Sequence, residues 1–148
     1  MRVRAAEVAD EPAWREMWAG YCAFYRIALP DAVTDATWSR ILDPVSEIGA
    51  LIAVDGSRSI GFANYVVHPY TWSASRTCYL EDLFVRADAR GAGAGRALIE
   101  RLLELGGERG WDRVYWHTHA GNSVARALYD SFCERDEFVR YVLPIPSR

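Results

Sequence analysis

Apolar residues recur along this chain with two different spacings, and the changes of spacing mark out its elements. Val3 to Ala5 reads as a short strand between flanking arginines, Arg2 and Arg4. Trp14, Met17, Trp18, Tyr21, Cys22 and Tyr25 then recur at i, i+3, i+4, which predicts an amphipathic helix. Asp10 is its expected N-cap, with Pro12 in the first turn, where a missing N–H does no harm. Leu29-Pro30-Asp31 breaks that helix, and Thr34 is expected to cap a short second one carrying Trp38, Ile41 and Leu42. Residues 50–54 and 59–67 alternate like strands around a hairpin turn at Asp55-Gly56-Ser57. The second of these strands is apolar on both faces, so both faces are covered; Asn64 interrupts one of them and reads as a satisfied buried amide.

The next strand, Thr77 to Val85, breaks its own rhythm. Leu80, Leu83 and Val85 are three apart and then two, so strict alternation fails and a β-bulge is expected between residues 81 and 84. A polar turn follows, Arg86 to Arg90, and then Gly91-Ala92-Gly93-Ala94-Gly95. The chain leaves this loop as a helix with Ala94, Ala97, Leu98, Leu102 and Leu105 on one face, ending at Gly106-Gly107. Arg113 to Thr118 reads as a strand, Asn122 or Ser123 as the cap of a helix to about Phe132, and Phe138 to Leu143 as a final strand. The order is β, α, α, β, β, β, α, β, α, β, which predicts a mixed sheet with one parallel pair across residues 80–118.

At 148 residues the chain reads as one domain, 1–148, long enough to build a core without staples. The net charge of −3 and the lack of a basic stripe argue against a nucleic-acid partner. Cys22, Cys78 and Cys133 are odd in number and unpatterned, which reads as reduced thiols in a cytoplasmic protein. No apolar run reaches the roughly 18 residues of a membrane span, so no membrane partner is expected. His117 and His119 have the spacing of half a metal site, but no third ligand stands at useful spacing, so no metal is expected.

The chemistry begins at the glycines. A glycine-rich strand-to-helix junction lets backbone approach a ligand, and the first amides of the helix have no internal acceptor. With Arg90 and Arg96 beside it, the segment Arg90, Gly91, Ala92, Gly93, Ala94, Gly95 is a candidate site for a phosphate ligand. A plain turn closing helix onto sheet is the other reading. It is not a Walker loop, because Arg96-Ala97 stands where Lys-Ser/Thr belongs. A dinucleotide fold would have its glycine motif in the first βαβ unit.

Arg90-x-x-Gly93-x-Gly95, led in by Leu80-x-x-Leu83-x-Val85, resembles the acetyl-CoA motif of the GNAT superfamily of N-acetyltransferases. Asn122-x-x-Ala125-x-x-Leu128-Tyr129 resembles that family's next helix. The wording LEDLFV is similar to the branch containing histone and polyamine acetyltransferases. The family usually has Gly-Phe before its last strand; here it is Glu137-Phe138.

The resemblance implies an α/β fold with a mixed, mostly antiparallel sheet, helices on both faces and a splayed strand pair. It implies acetyl-CoA as cosubstrate, with its arm pairing against the backbone of Leu83, Phe84 and Val85 and reached by Asn122. It implies transfer to a primary amine, on a small polyamine-like molecule or a lysine-bearing peptide, by direct attack. Tyr129 holds the position of the acid that protonates the leaving thiolate. Tyr25, at the end of the first helix, falls on the acceptor wall, and Tyr70 lies on a loop that is a candidate substrate lid.

An amine with a pKa near 10.4 is neutral in about one molecule in 2,500 at pH 7, a gap of about 4.6 kcal/mol unless a base removes the proton. Glu81 and Asp82, at the expected bulge, are the candidates: Glu81 as base, Asp82 as amine-binding partner. A backbone N–H at Leu83 or Phe84 would stabilise negative charge on the reacting carbonyl oxygen. Two alternatives remain: a sensor that binds acetyl-CoA without transfer, and an interaction domain for a protein partner. The final strand, rich in Val139, Tyr141 and Val142, is an edge in need of cover, which suggests a homodimer.

Overall fold

The computed structural model describes residues 1–147. The elements are β1 (Arg2–Ala5), α1 (Glu11–Tyr25), α2 (Asp31–Leu42), β2 (Ile48–Asp55), β3 (Arg58–Pro69), β4 (Arg76–Val85), α3 (Ala94–Arg109), β5 (Val114–Tyr115) and α4 (Ser123–Tyr129), with single 3-10 turns at Val8–Asp10 and Ala87–Ala89. The chain divides into two compact units, Met1–His117 and the residues from Thr118 on. Among the described residues no helix is long and apolar enough to cross a membrane.

The first unit is a mixed α/β layer structure. Its sheet runs β1-β2-β3-β4-β5 in chain order; the first three pairings are antiparallel and β4·β5 is parallel. β3 is the middle strand, and residues 60–65 are all buried, as apolar residues on both its faces require. On one face Phe62, Ile52 and Val54 meet Trp14, Met17, Trp18 and Cys22 of α1 and Trp38 of α2. Trp14 is fully buried, stacked on Trp18 at 5.5 Å and tilted against Trp38 at 5.1 Å. α1 comes down close to β4 at Gly20, where a Cβ would stand 2.9 Å from the Phe84 ring. On the other face lies α3, whose buried Ala94, Leu98, Ile99, Leu102 and Leu105 form the stripe read from the sequence.

Several expectations need correction. Phe138 to Leu143 is not a strand: the chain has no regular structure there, and Phe138, Val139, Tyr141, Val142 and Leu143 are exposed. The departure at Glu137-Phe138 precedes that segment. The strand expected over residues 113–118 pairs only through Val114 and Tyr115. α3 does not stop at Gly106-Gly107; it runs on to Arg109 and is closed by Gly110, whose φ of +69° turns the chain so that the Trp111 amide bonds back to Gly106 O at 2.9 Å. α2 starts at Asp31, with Pro30 rather than Thr34 at its cap.

Asp10 occupies the position before α1 but does not cap it with its side chain. Its carboxylate takes a bidentate pair from Arg4, at 2.6 and 2.9 Å, and the Glu7 amide at 2.8 Å. The Arg4 guanidinium, as the leading cause, holds Asp10 below its ordinary carboxylate range. A depressed folded-state value gives stability that is present above the unfolded value near 3.9 and is lost as pH falls through the lower folded value. Asp10→Asn is therefore expected to lower unfolding free energy at pH 7 by roughly 1–3 kcal/mol in urea titrations. Its deficit should shrink as the wild type loses this contribution in acid.

Candidate active site

The irregularity in β4 falls on Glu81. Asn64 pairs with Asp82 and Tyr65 with Leu80, so Glu81 is an extra residue on β4 with no partner on β3. One inserted residue reverses the alternation beyond it. Asp82 thereby joins Phe84 on the face that carries α1. On its other side β4 pairs with β5 only at Cys78 and Tyr79. Among the described residues no strand pairs with the outer edge of β4 from Leu80 to Val85, although the Val85 carbonyl accepts from the Arg90 side chain.

Asp82 is the best-embedded acid of this region. The Asn64 side-chain amide donates to its Oδ2 at 3.1 Å, and the Tyr21 hydroxyl donates to the same carboxylate. Burial, the leading cause, pushes its pKa up; both hydrogen bonds push it down. Burial and the facing Asp82 charge push Tyr21 far up, so it stays a neutral donor. Tyr21 stacks on Trp18 at 5.3 Å and leans on Tyr25 at 4.9 Å, which puts Tyr25 in the same aromatic wall. Glu81 is exposed, and its charge reaches Tyr115. Tyr115 stacks on Tyr79 at 5.0 Å; its hydroxyl lies 2.7 Å from His68 Nε2, and the Tyr79 hydroxyl lies 3.1 Å from His117 Nδ1. His117 thus packs on Tyr79, and among the described residues no three His, Cys, Asp or Glu side chains cluster as metal ligands. Tyr70 is half-buried, with the Arg113 guanidinium 4.2 Å above its ring.

β4 leads directly into the glycine loop. Arg86, at the junction, donates to both carboxylate oxygens of Glu16 at 2.6 and 3.0 Å and to Ser59 O at 2.9 Å, mooring the strand end to α1 and β3. Arg90 Nε reaches back to Val85 O at 3.1 Å. Gly91 and Gly93 have φ of +82° and +84°, in the left-handed region that favours glycine. No atom lies within 4 Å of where their Cβ would be, so the loop is open on that side. Gly93 is the N-cap of α3, and the amides of Ala94 and Gly95 open the helix with no helical acceptor by position. The side-chain cations of the chain's ion pairs are all arginines, since the sequence contains no lysine. A separate cleft of about 450 Å³ lies at the hairpin end, lined by Arg2, Arg4, Arg58, Arg86 and Asp10 among others.

In the second unit Asn122 caps α4 by accepting from the Ala125 amide at 3.4 Å and donates to Thr118 Oγ1 at 3.2 Å. Tyr129 is the last residue of that helix and is half-buried. The sequence puts Tyr21 in the apolar stripe of the first helix and Asn64 in a strand, but it does not show that both hold the Asp82 carboxylate. The unpaired polar interruption at Asn64, between Phe62 and Val66, was the available signal.

An open strand edge thus runs into amides at a helix start, with a half-buried carboxyl beside the bulge. Known proteins share this chain's sequence and fold. The acetyltransferase (GNAT) family model matches residues 13–133, and the chain belongs to that family. It is 35% identical over 141 residues to the D-amino-acid N-acetyltransferase HPA3 of Saccharomyces cerevisiae, covering 94% of this chain and 88% of that one. Among solved structures, a probable acetyltransferase superposes with a TM-score of 0.86 at 24% identity, covering 100% of both chains. AAC(6')-Iy, in complex with the bisubstrate analogue CoA-S-monomethyl-acetylneamine, gives 0.84 at 22% identity and covers 97% of each. The protein is an acyltransferase.

The raised proton affinity of Asp82 has a thermodynamic consequence. A folded-state pKa above the unfolded value of about 3.9 gives stability that is full below that value and is lost as pH rises through the folded one. Asp82→Asn is expected to melt higher than wild type at pH 8, and the difference should vanish near pH 4 in thermal-shift measurements.

Proposed function

We propose that the protein transfers an acetyl group from acetyl-CoA to a primary amine, on a small polyamine-like molecule or a lysine side chain, by direct attack. The observation that carries this reading is the one-sided pairing of β4, open from Leu80 to Val85 and running into the positive-φ glycines. Acetyl-CoA supplies the activated acetyl group as a thioester. Arg90, Gly91, Ala92, Gly93, Ala94 and Gly95 hold its diphosphate through loop and helix amides, and the open edge of Leu83, Phe84 and Val85 pairs with its arm. The open space at Gly91 and Gly93 supports that fit. Asn122 contacts the same arm, and Tyr129 gives a proton to the departing thiolate.

Between the two carboxyls, the sequence assigned the base to Glu81 and amine binding to Asp82. The burial of Asp82 and its raised proton affinity support the reverse: Asp82 takes the proton of the attacking amine, and exposed Glu81 meets the ammonium on approach. Tyr25 and Tyr70 contact the acceptor. The three cysteines are unpaired, which supports a cytoplasmic setting; there the chain acts as one 1–148 domain without nucleic-acid, membrane or metal partners.

Turnover of acetyl-CoA across a panel of polyamines, amino acids and lysine peptides tests this. Wild type should release coenzyme A with at least one amine, and Tyr129→Phe should lower kcat about a hundredfold or more. No turnover with any amine, with acetyl-CoA still bound, would establish the sensor instead.

The exposed apolar residues at Phe138 to Leu143 support a homodimer, although the segment is not the strand edge first expected. Light scattering should give twice the chain mass of 16.7 kDa; a monomer removes the dimer.

A further inference from the structure

Behind Asp82 the polar contacts continue into the core. Trp14 is fully buried, and its Nε1 donates to Asn64 Oδ1 at 3.2 Å. Asn64, 3% exposed, passes the contact on through Nδ2 to Asp82 Oδ2 at 3.1 Å. The direction of this chain is not arbitrary. An indole N–H can only donate, so the Asn64 amide must present its oxygen to Trp14 and is left with its NH₂ towards Asp82. A donor there favours the ionised carboxylate; a flipped amide would present an acceptor and favour the carboxylic acid. The neighbouring indoles show that such a bond is not automatic in this core. Trp18 Nε1 and Trp38 Nε1 are buried with no hydrogen-bond partner among the described residues.

We infer that Trp14 and Asn64 are positioning residues that set the proton affinity of Asp82, with Trp14 acting at two removes by fixing which end of the Asn64 amide the carboxylate meets. The inference deepens the proposed base role of Asp82 and rests on it for its kinetic part. Other groups face the same carboxyl. From α1 these are Tyr21, which donates to it, and Cys22, which feels its charge, with Tyr25 against Tyr21. From β4 they are adjacent Glu81 and Tyr79, whose charge also reaches Tyr21. From β3, Tyr65 next to Asn64 lies on the opposite face with its ring 5.9 Å from Trp111, and His68, further along, is engaged with Tyr115. Trp14 reaches Tyr21 through Trp18, which stacks on both, so Asn64→Leu, which leaves those three rings unchanged, separates the amide's effect from theirs.

The experiment is a titration of the Asp82 carboxyl carbon by ¹³C NMR in the full-length protein, paired with the pH profile of kcat/KM for the best amine. Trp14→Phe removes the donor and frees the amide to turn. The carboxyl titration should move up by about one to two pH units, and the acidic limb of kcat/KM should follow it, with the plateau largely kept. Asn64→Leu should move both in the same direction. The double variant should add little to Asn64→Leu, because Trp14 acts only through that amide. A purely structural role for Trp14 would lower the melting temperature and leave the titration in place, which would overturn the inference. Should Trp14→Phe not fold, an unmoved titration in Asn64→Leu overturns it equally. A carboxyl that shifts while the kcat/KM limb stays supports the polar chain and removes Asp82 as base, so the two failures are told apart.

Discussion

Between Leu80 and Asp82 the β3–β4 ladder holds one residue more on β4 than on β3, and the arrangement of the site depends on that mismatch. Without Glu81 as the surplus residue, the alternation that places Tyr79 on one face would put Asp82 on the face of α3. With it, Asp82 stands under α1, where Tyr21 and Asn64 meet it. The strand on the far side stops pairing at Tyr79, just before the extra residue. Edge and acid thus begin at the same place on β4.

The rest of the first unit keeps that departure fixed. β3 is paired on both sides along most of its length, so the bulge has a stiff partner. Four aromatic rings from α1 and α2, with Phe62 and Phe84 from the sheet, fill the space above it. At the far end of β4, Arg86 joins the strand to Glu16 of the same helix that carries Tyr21. α1 and the end of β4 therefore share an anchor, and the glycine loop starts from a defined point.

Much of this was legible in the sequence because it is written in local spacing. Leu80, Leu83 and Val85 fail to alternate, and that alone announced a bulge. The glycines at 91, 93 and 95 and the apolar stripe after them announced a loop and a helix. What the sequence hid depends on residues distant along the chain: Trp14, Asn64 and Asp82 are drawn together only by the packing of α1 on β3 and β4. Asp10 was misread for the same reason, since Arg4 across the 3-10 turn outcompetes the helix amides for its carboxylate. The run at Val139 to Leu143 has the composition of a strand, but β propensity marks only fitness for a sheet, and pairing needs a partner. At Gly106 the Trp111 ring occupies the side-chain space, and the helix runs through both glycines to end at Gly110 in the left-handed region.

All seventeen of the chain's Lys-or-Arg positions are arginine, and the side-chain ion pairs among the described residues draw their cations from them. A guanidinium keeps its proton at any physiological pH and is a poor nucleophile towards thioesters. A catalyst that handles an activated acyl donor thus carries no side-chain amine of its own to be acylated. Its side-chain positive charges, and the ion pairs they make, stay intact however long it is bathed in its own reagent.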